Sequence, residues 1–378
     1  MSKLVKKGLV LEILPDSDVV EVLEQNMNNA RFIWNQLLSQ YNKLYKLFKF
    51  HDYPLNANIR NFNMMLKMLK AEYPFLRDGE STSQQQVFRD LVKAFNNFFK
   101  HGYGYPLFKS RKNPKQSFRI QKNGNNIQVS NRRIRLAKLG YIHYRTSKEY
   151  RKLLKTSKIN NVTVKRENGK YYAVVNITTS VEELEKTGSS IGIDLGLKKL
   201  ATLSNGEIID NLNLKKEDSM IKKYQKKLSR QEYMSKNYKK TLKKIHKWIN
   251  KKNNKIKNEY HHISKNLVEK YDIISMETLN IKGMFKNKKW APKMQKINLY
   301  KLIQMIKYKS EWYGKKFIQI DRFYPSSQKC NICNYQYTNL TLATRKWTCP
   351  ICGTKHQRDI NAAKNILKQG KQKIKTKT

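Results

Sequence analysis

The four cysteines of this chain lie in one short stretch, as Cys330-x2-Cys333 and Cys349-x2-Cys352 with fifteen residues between the pairs. Two such knuckles supply four thiolates in the pattern of a zinc ribbon. Four protein ligands leave no coordination position open, so Zn²⁺ here is expected to be structural. A disulfide framework would spread its cysteines, usually through a small secreted chain. His356 lies close by. It is a candidate fifth ligand, but reads more simply as an ordinary polar residue beside a second site.

That second site is a set of three carboxylates. Asp194 stands inside the apolar run Ile191-Gly192-Ile193-Asp194-Leu195-Gly196, and Glu277 ends the run Ile273-Ile274-Ser275-Met276-Glu277. A charge in an apolar strand needs a metal, a basic partner or a position at the strand end. In open α/β sheets, ligands collect at the carboxyl ends of the strands. Asp359, in Gln357-Arg358-Asp359-Ile360-Asn361 at the start of the last helix, is the third candidate. Three carboxylates around Mg²⁺ or Mn²⁺ suit two-metal phosphodiester hydrolysis. One ion lowers the pKa of the attacking water and the other stabilises the leaving 3′-oxygen. Singly, Asp194 reads as a turn residue, Glu277 as a helix cap and Asp359 as an N-cap. Their joint presence in a basic chain favours the metal.

The elements that must position these groups follow from periodicity and turn chemistry. Lys7–Leu14 alternates like a strand and stops at Pro15. An amphipathic helix follows over Val19–Phe50, with a break expected near Asn28. Helices are also expected over Asn58–Glu72 and Gln84–His101, the latter capped by Ser81-Thr82-Ser83. Its residues Phe95, Phe98 and Phe99, like Trp248 further on, are expected in the core. After a Gly/Pro/basic loop come short strands at Ser117–Gln121, Asn126–Val129, Arg133–Leu136, Tyr141–Tyr144, Lys158–Arg166 and Lys170–Thr178. Asn168-Gly169 marks a hairpin between the last two. An acidic linker leads to strands at Ser190–Asp194, Leu200–Leu203 and Glu207–Ile209. A Lys-rich helical region over 215–269, strand Tyr271–Met276, helix Asn298–Tyr313, strand Lys316–Asp321 and helix Asp359–Lys368 complete the alternation, which predicts an α/β sheet. Gln369–Thr378 reads as a disordered basic tail.

The chain has 378 residues, room for two or three domains. Lys and Arg number 78 against 28 Asp and Glu, a net charge of +50. Self-repulsion on that scale calls for a polyanion, and the cations run the whole length of the chain, which favours nucleic acid over a membrane surface. No apolar stretch is long enough to span a bilayer, and the short N-terminal apolar run is broken by Glu12 and Pro15, unlike a signal peptide. A cytoplasmic, nucleoid-associated protein is expected. Lys109, Arg111, Lys112, Lys115 and Arg119, with Gln116 and Ser117 among them, form a dense donor stretch for phosphates and base edges. Gln84, Gln85 and Gln86 are further candidates for reading a DNA motif. The bland reading of each is a solvated surface residue.

These motifs resemble the TnpB (OrfB) proteins of insertion sequences, relatives of the type V CRISPR effectors. The matching runs are IGIDLGLKKLATLSNG, ISMETLNIKGM, YKSEWYGKKFIQIDRFYPSSQKC and WTCPICGTKHQRDINAAKNI. In the N-terminal half they are NNARFIWNQLLSQYNKLY, STSQQQVFRDLVKAFNNFF, GYPLFKSRKNPKQSFRI, RIRLAKLGYIHYR and VTVKRENGKYYAVVNI.

The resemblance covers nearly the whole chain and implies a multidomain α+β fold. A first strand (1–14) and residues 109–181 would form a small wedge-like β-barrel, and residues 15–108 a helical recognition lobe. A linker (182–189) would lead to an RNase H-like (RuvC) α/β nuclease domain (190–324). A zinc ribbon (325–355) is inserted before the last motif and helix (356–368). The resemblance further implies an RNA-guided DNA endonuclease with Asp194, Glu277 and Asp359 as catalytic Mg²⁺ ligands, and Arg358 near phosphate. A guide RNA from the transposon end would pair with a double-stranded DNA target beside a short flanking motif. The family's usual H-D-R-D is here His356-Gln357-Arg358-Asp359, which removes a fourth carboxylate but keeps the third ligand. A nuclease-inactive RNA-guided repressor would lack one of the carboxylates. A DNA transposase would share acids and metal, but fits the ribbon and the charge less well.

Overall fold

The computed structural model describes residues 2–50, 57–113, 115–280, 283, 297–341 and 344–376. Ile281, Lys282 and Met284 of the run ISMETLNIKGM, and Pro114 of the basic stretch, lie outside the described residues. The chain divides into two compact units, Leu4–Ser180 and Val181–Thr378, the second including Met1–Lys3. Among the described residues no helix is long and apolar enough to cross a membrane.

Among the described residues, the first unit joins four helices to a seven-stranded sheet. Helix α1 (Ser17–Phe50) is unbroken at Asn28. The Asn28 side-chain oxygen accepts from Arg31 Nη2 one turn on, at 2.9 Å, so the residue read as a breaker is held within the helix. Helix α2 (Ile59–Glu72) is capped by Asn58, and α3 (Ser81–His101) is capped by Glu80 rather than by the Ser81–Ser83 trio. The Glu80 carboxylate accepts from the backbone N–H of Thr82 and Ser83, two of the orphan donors of a helix start.

The strands are β1 (Ser2–Leu14), β2 (Gln116–Gln121), β3 (Ile127–Val129), β4 (Arg133–Leu136), β5 (Gly140–Arg145), β6 (Lys158–Glu167) and β7 (Lys170–Glu182). A short helix α4 (Lys148–Thr156), not anticipated, follows β5 under a Ser147 cap. Their order is β2-β6-β7-β1-β5-β4-β3. The two outer strands, β2 and β3, are consecutive in sequence. Flat, six spacings of ~4.8 Å would part them by about 29 Å, more than the ~21 Å that the connection can reach. The sheet therefore curls until its edges approach. Asn126 Nδ2 donates to Gln121 O at 2.7 Å across that gap. Asn168 and Gly169 between β6 and β7 both have positive φ (51° and 72°), the conformation of a type I′ hairpin turn.

The second unit is built on β8 (Ser190–Leu195), β9 (Ala201–Leu203), β10 (Ile208–Ile209), β11 (Ile273–Glu277) and β12 (Lys316–Ile320), in the order β10-β9-β8-β11-β12. The first three form an antiparallel meander, and β11 lies parallel to both β8 and β12. Helices α5 (Lys215–Leu228) and α6 (Lys236–Lys270) precede β11, and α7 (Leu299–Trp312) packs between β11 and β12 in sequence. Ile191, Ile193, Ile274 and Met276 make one core with Leu267, Val268, Leu302 and Ile306. This is an RNase H-like sheet. The small hairpin β13 (Lys346–Thr348) and β14 (Lys355–Gln357) belongs to the cysteine region and runs directly into α8 (Arg358–Lys375).

Helix α8 corrects one expectation. It does not stop at Lys368, and no disordered tail begins at 369, because the helix continues to Lys375. Ile366 and Gly370 are buried, Ile374 is half-buried, and Lys373 Nζ donates to Gln319 O on β12 at 3.0 Å. The Lys-rich composition hid an apolar stripe at helical spacing.

Candidate active site

In the register of β8 and β11, Met276 lies opposite Ile193 and Ser275 opposite Gly192. Asp194 and Glu277 are the next residues on each strand. Side chains two residues apart share a face of a sheet, so the two carboxylates lie on the face of Gly192 and Ser275. That face is covered by α8. A Cβ on Gly192 would come within 2.0 Å of Ala363 O, and one on Gly370 within 2.0 Å of Ser275 Oγ. The two glycines let α8 lie against the sheet, and its first turn carries Asp359. Replacing Gly192 by Val is expected to lift the helix at a cost of roughly 1–3 kcal/mol. Denaturant unfolding would measure the loss, and Asp359 would move with the helix.

The three carboxylates feel one another. An ordinary aspartate ionises near 3.8. Here burial, and then the charges of Glu277 and Asp359, push Asp194 up to about 7, against the pull of Arg358 and Arg345. Burial also raises Glu277. Asp359 is drawn to a cation, with Arg345 Nη1 3.3 Å from its Oδ1. Among the described residues these carboxylates are not grouped as tightly as the cysteines, whose ligand atoms all lie within 4.8 Å of one another. Three oxygen-donor carboxylates repelling one another suit hard divalent cations. A pair of ions ~3.5–4 Å apart spreads its ligands more widely than a single ion does.

The cysteines fit zinc closely. Cys330 Sγ lies 3.7 Å from Cys352 Sγ, and Cys333 Sγ 3.5 Å from Cys349 Sγ. A tetrahedron with ~2.3 Å Zn–S bonds has edges of about 3.8 Å, whereas a disulfide would need about 2.05 Å. His356 is not an ordinary polar residue near the carboxylates. It is buried in the ribbon, with Nε2 3.1 Å from Cys330 Sγ and its ring against Trp347.

Arg358 turns its guanidinium to the ribbon, donating from Nη1 to Thr341 O at 2.9 Å, while its charge reaches Asp194. Three residues of this neighbourhood were not singled out in the sequence. Arg345 is one cation among 78 Lys and Arg. Asn361 and Asn365 are both buried on α8. Their i, i+4 spacing on the inner face of a helix was the available signal, since a buried amide there must have partners.

Of the candidate nucleic-acid contacts, two are turned inward. Gln84 is 1% exposed and donates to Leu76 O at 2.5 Å. Gln116 is 7% exposed, donates to Ser110 O and Asn113 O, and accepts from Arg31. Both amides shape the fold. Gln85, Arg111, Lys112 and Ser117 are exposed, and so is Lys109, whose ammonium lies 3.9 Å from the centre of the Trp34 ring. Arg119 pairs with Asp90 at 3.5 Å and Lys115 with Glu167 at 3.2 Å. Gln86 donates to Asp90. Phe95 is core, but Phe99 is 54% exposed because it follows Phe95 at the end of α3, beyond the helices that cover it.

Residues 161–288 match the OrfB_IS605 family model, described as "Probable transposase". Residues 300–366 match the Cas12f1-like TNB domain, and residues 1–49 match a helix-turn-helix domain of OrfB_IS605. That last segment is here one strand and one unbroken helix. A Streptomyces pristinaespiralis protein named "Putative RNA-guided DNA endonuclease" is 29% identical over 98% of this chain and 90% of its own length. An Escherichia coli K12 protein, "Putative RNA-guided DNA endonuclease InsQ", is 28% identical over 90% of this chain and 86% of its own. Among solved structures, a Cas12f1 chain from a complex with sgRNA and target DNA superposes with a TM-score of 0.53 over 97% of this chain and 98% of that one. At 13% identity, that likeness concerns the fold.

Proposed function

We propose that the chain is a member of the TnpB (OrfB) family of insertion-sequence proteins, which its matches to the OrfB_IS605 models and to two proteins named as RNA-guided DNA endonucleases support, and that it is an RNA-guided DNA endonuclease working by metal-dependent phosphodiester hydrolysis. The observation that carries the chemistry is the convergence on Asp194 of Glu277, from the neighbouring parallel strand, and Asp359, from the helix above it. These three residues would hold Mg²⁺ or Mn²⁺. Divalent cations bound there supply charge neutralisation at the scissile phosphate and lower the pKa of the attacking water.

The chain's own groups do the rest. Asp194 and Glu277, at the ends of buried strands, are fixed by a sheet that cannot shift without disturbing the core. Arg345 and Arg358 balance acid charge around Asp194 when the site is metal-free, Arg345 beside Asp359 would meet phosphate oxygens when it is loaded, and Arg358 would do so on leaving Thr341 O. The four cysteines hold Zn²⁺ and give the ribbon its shape.

A net charge of +50 suits a guide RNA together with a DNA target, which present more phosphate than a short duplex alone. Guide pairing would read the target, and exposed Gln85, Lys109, Arg111, Lys112 and Ser117, with half-buried Arg119, are candidates for phosphate contact or for reading the flanking motif. A double-stranded DNA target places the work in the cytoplasm at the nucleoid. The presence of all three carboxylates speaks against a nuclease-inactive repressor.

The pKa of Asp194 carries a pH dependence. Cations must displace its proton below about pH 7. The Mg²⁺ needed for half-maximal cleavage is expected to rise roughly tenfold per unit as pH falls from 7 to 6, and to level off above 8. A Mg²⁺ titration at each pH measures it, and a flat requirement across that range would contradict the assignment. The function is tested by purifying the protein with its native locus, sequencing the bound RNA, and offering a randomised duplex library with Mg²⁺. Cuts directed by the bound RNA beside a common motif are expected. Retention of RNA without any cutting of matched duplexes would favour the repressor reading.

A further inference from the structure

We propose that His356 is a positioning residue through which zinc in the ribbon sets the place of Asp359. The imidazole is buried, with Nε2 3.1 Å from Cys330 Sγ. It stands opposite Trp347 in the β13–β14 hairpin, and its ring lies 4.6 Å from the indole. A zinc-bound thiolate keeps negative charge and accepts a hydrogen bond, so Nε2–H donates to Cys330 and fixes both ligand and ring. No loop follows: β14 ends at Gln357, α8 begins at Arg358, and Asp359 is the next residue.

The same knuckle is gripped a second time. Asn361 Nδ2 donates to Lys329 O at 2.7 Å, and Asn361 Oδ1 accepts from Asn331 N at 3.0 Å. Asn365 Nδ2 donates to Ser326 O at 2.8 Å. Cys330 is therefore held at its sulfur by the residue three before Asp359, and along its backbone by the residue two after it. The ribbon also supplies Arg345, the cation beside Asp359. Zinc fixes Cys330, Cys330 fixes the β14–α8 corner, and the corner fixes the carboxylate.

The coupling to Asp359 rests on the reading of that residue as a Mg²⁺ ligand, whereas the bond to Cys330 does not, so the two halves fail separately. The test compares zinc-loaded full-length wild type with His356→Gln, which keeps a donor, and His356→Phe, which keeps a ring against Trp347 but loses the donor. Zinc release to a chromogenic chelator is expected to be about 10–100-fold faster in His356→Phe. The thiolate-to-metal absorption of its Co²⁺ form should shift, and its Mg²⁺ requirement for cleavage should rise. His356→Gln should stay within about threefold of wild type in each. Wild-type release rates in His356→Phe, or equal losses in both variants, would overturn the hydrogen bond. Wild-type protein fully stripped of zinc tests the coupling without any substitution, its Mg²⁺ requirement for cleavage being expected to rise and to return when zinc is restored, and a requirement equal to that of the zinc-loaded protein would overturn it.

Discussion

Asp194→Asn is expected to lower cleavage at least about a thousandfold while making the metal-free protein more stable. The two effects have one cause. Asp194 is held at about 7 by burial and by the neighbouring acids. A carboxyl raised above its unfolded value keeps its proton in the native state while the unfolded chain releases it. Stability therefore falls as pH rises from about 4 to about 7, and stays low above that. The amide cannot ionise and removes this cost. A gain of about 1–3 kcal/mol at pH 8 without divalent cations is expected, less than the full shift implies because the side chain is partly open to solvent. Guide RNA binding should be unchanged. Thermal unfolding in EDTA and a matched cleavage assay measure both. A variant that cuts normally, or that loses metal-free stability, would contradict the role given to this carboxylate.

Cys349→Ser is expected to empty and unfold the ribbon without unfolding the first unit. Among the described residues the ribbon's own buried cluster is Cys330, Trp347 and Cys349, with Tyr337 and Leu340 packed on it. So small a core cannot order a segment of this length without a metal. Structural zinc in small fingers contributes about 10–16 kcal/mol of apparent folding energy. The variant should lose bound zinc and gain protease cuts between 330 and 352. It should cut DNA poorly, because Asn361 and Asn365 lose the knuckle that they bind. Metal analysis with limited proteolysis checks it. A full zinc complement in the folded variant would remove Cys349 from the ligand set.

The candidate site stands out in sequence because it breaks ordinary patterns. An aspartate inside Ile-Gly-Ile-Asp-Leu and a glutamate ending an apolar strand are costly where they stand, and paired CxxC knuckles have few other uses. Periodicity located most elements for the same reason that it works in general, since one face of each is buried. It failed where the decisive partner was distant in sequence. Gln84 and Gln116 look like exposed donors until Leu76 O, Ser110 O and Asn113 O are placed beside them. The end of α8 looked disordered by composition, because Lys373 meets a β12 carbonyl that no local pattern announces. Glu80 took the cap from three adjacent Ser/Thr residues because a longer side chain reached two backbone donors at once. Short α4 was overlooked because few of its nine residues are apolar. Gly192 is the clearest case. In sequence it is one glycine among 15, and only α8 lying against it shows why no side chain fits.

The most direct measurement of the central claim is anomalous scattering from Mn²⁺ in crystals of the full chain with its guide RNA and an uncleavable target. Mn²⁺ bound between Asp194, Glu277 and Asp359, beside the scissile phosphate, is the result that the account requires. Mn²⁺ bound elsewhere, with these three side chains apart in a complex that cuts once a cleavable target is supplied, would contradict it.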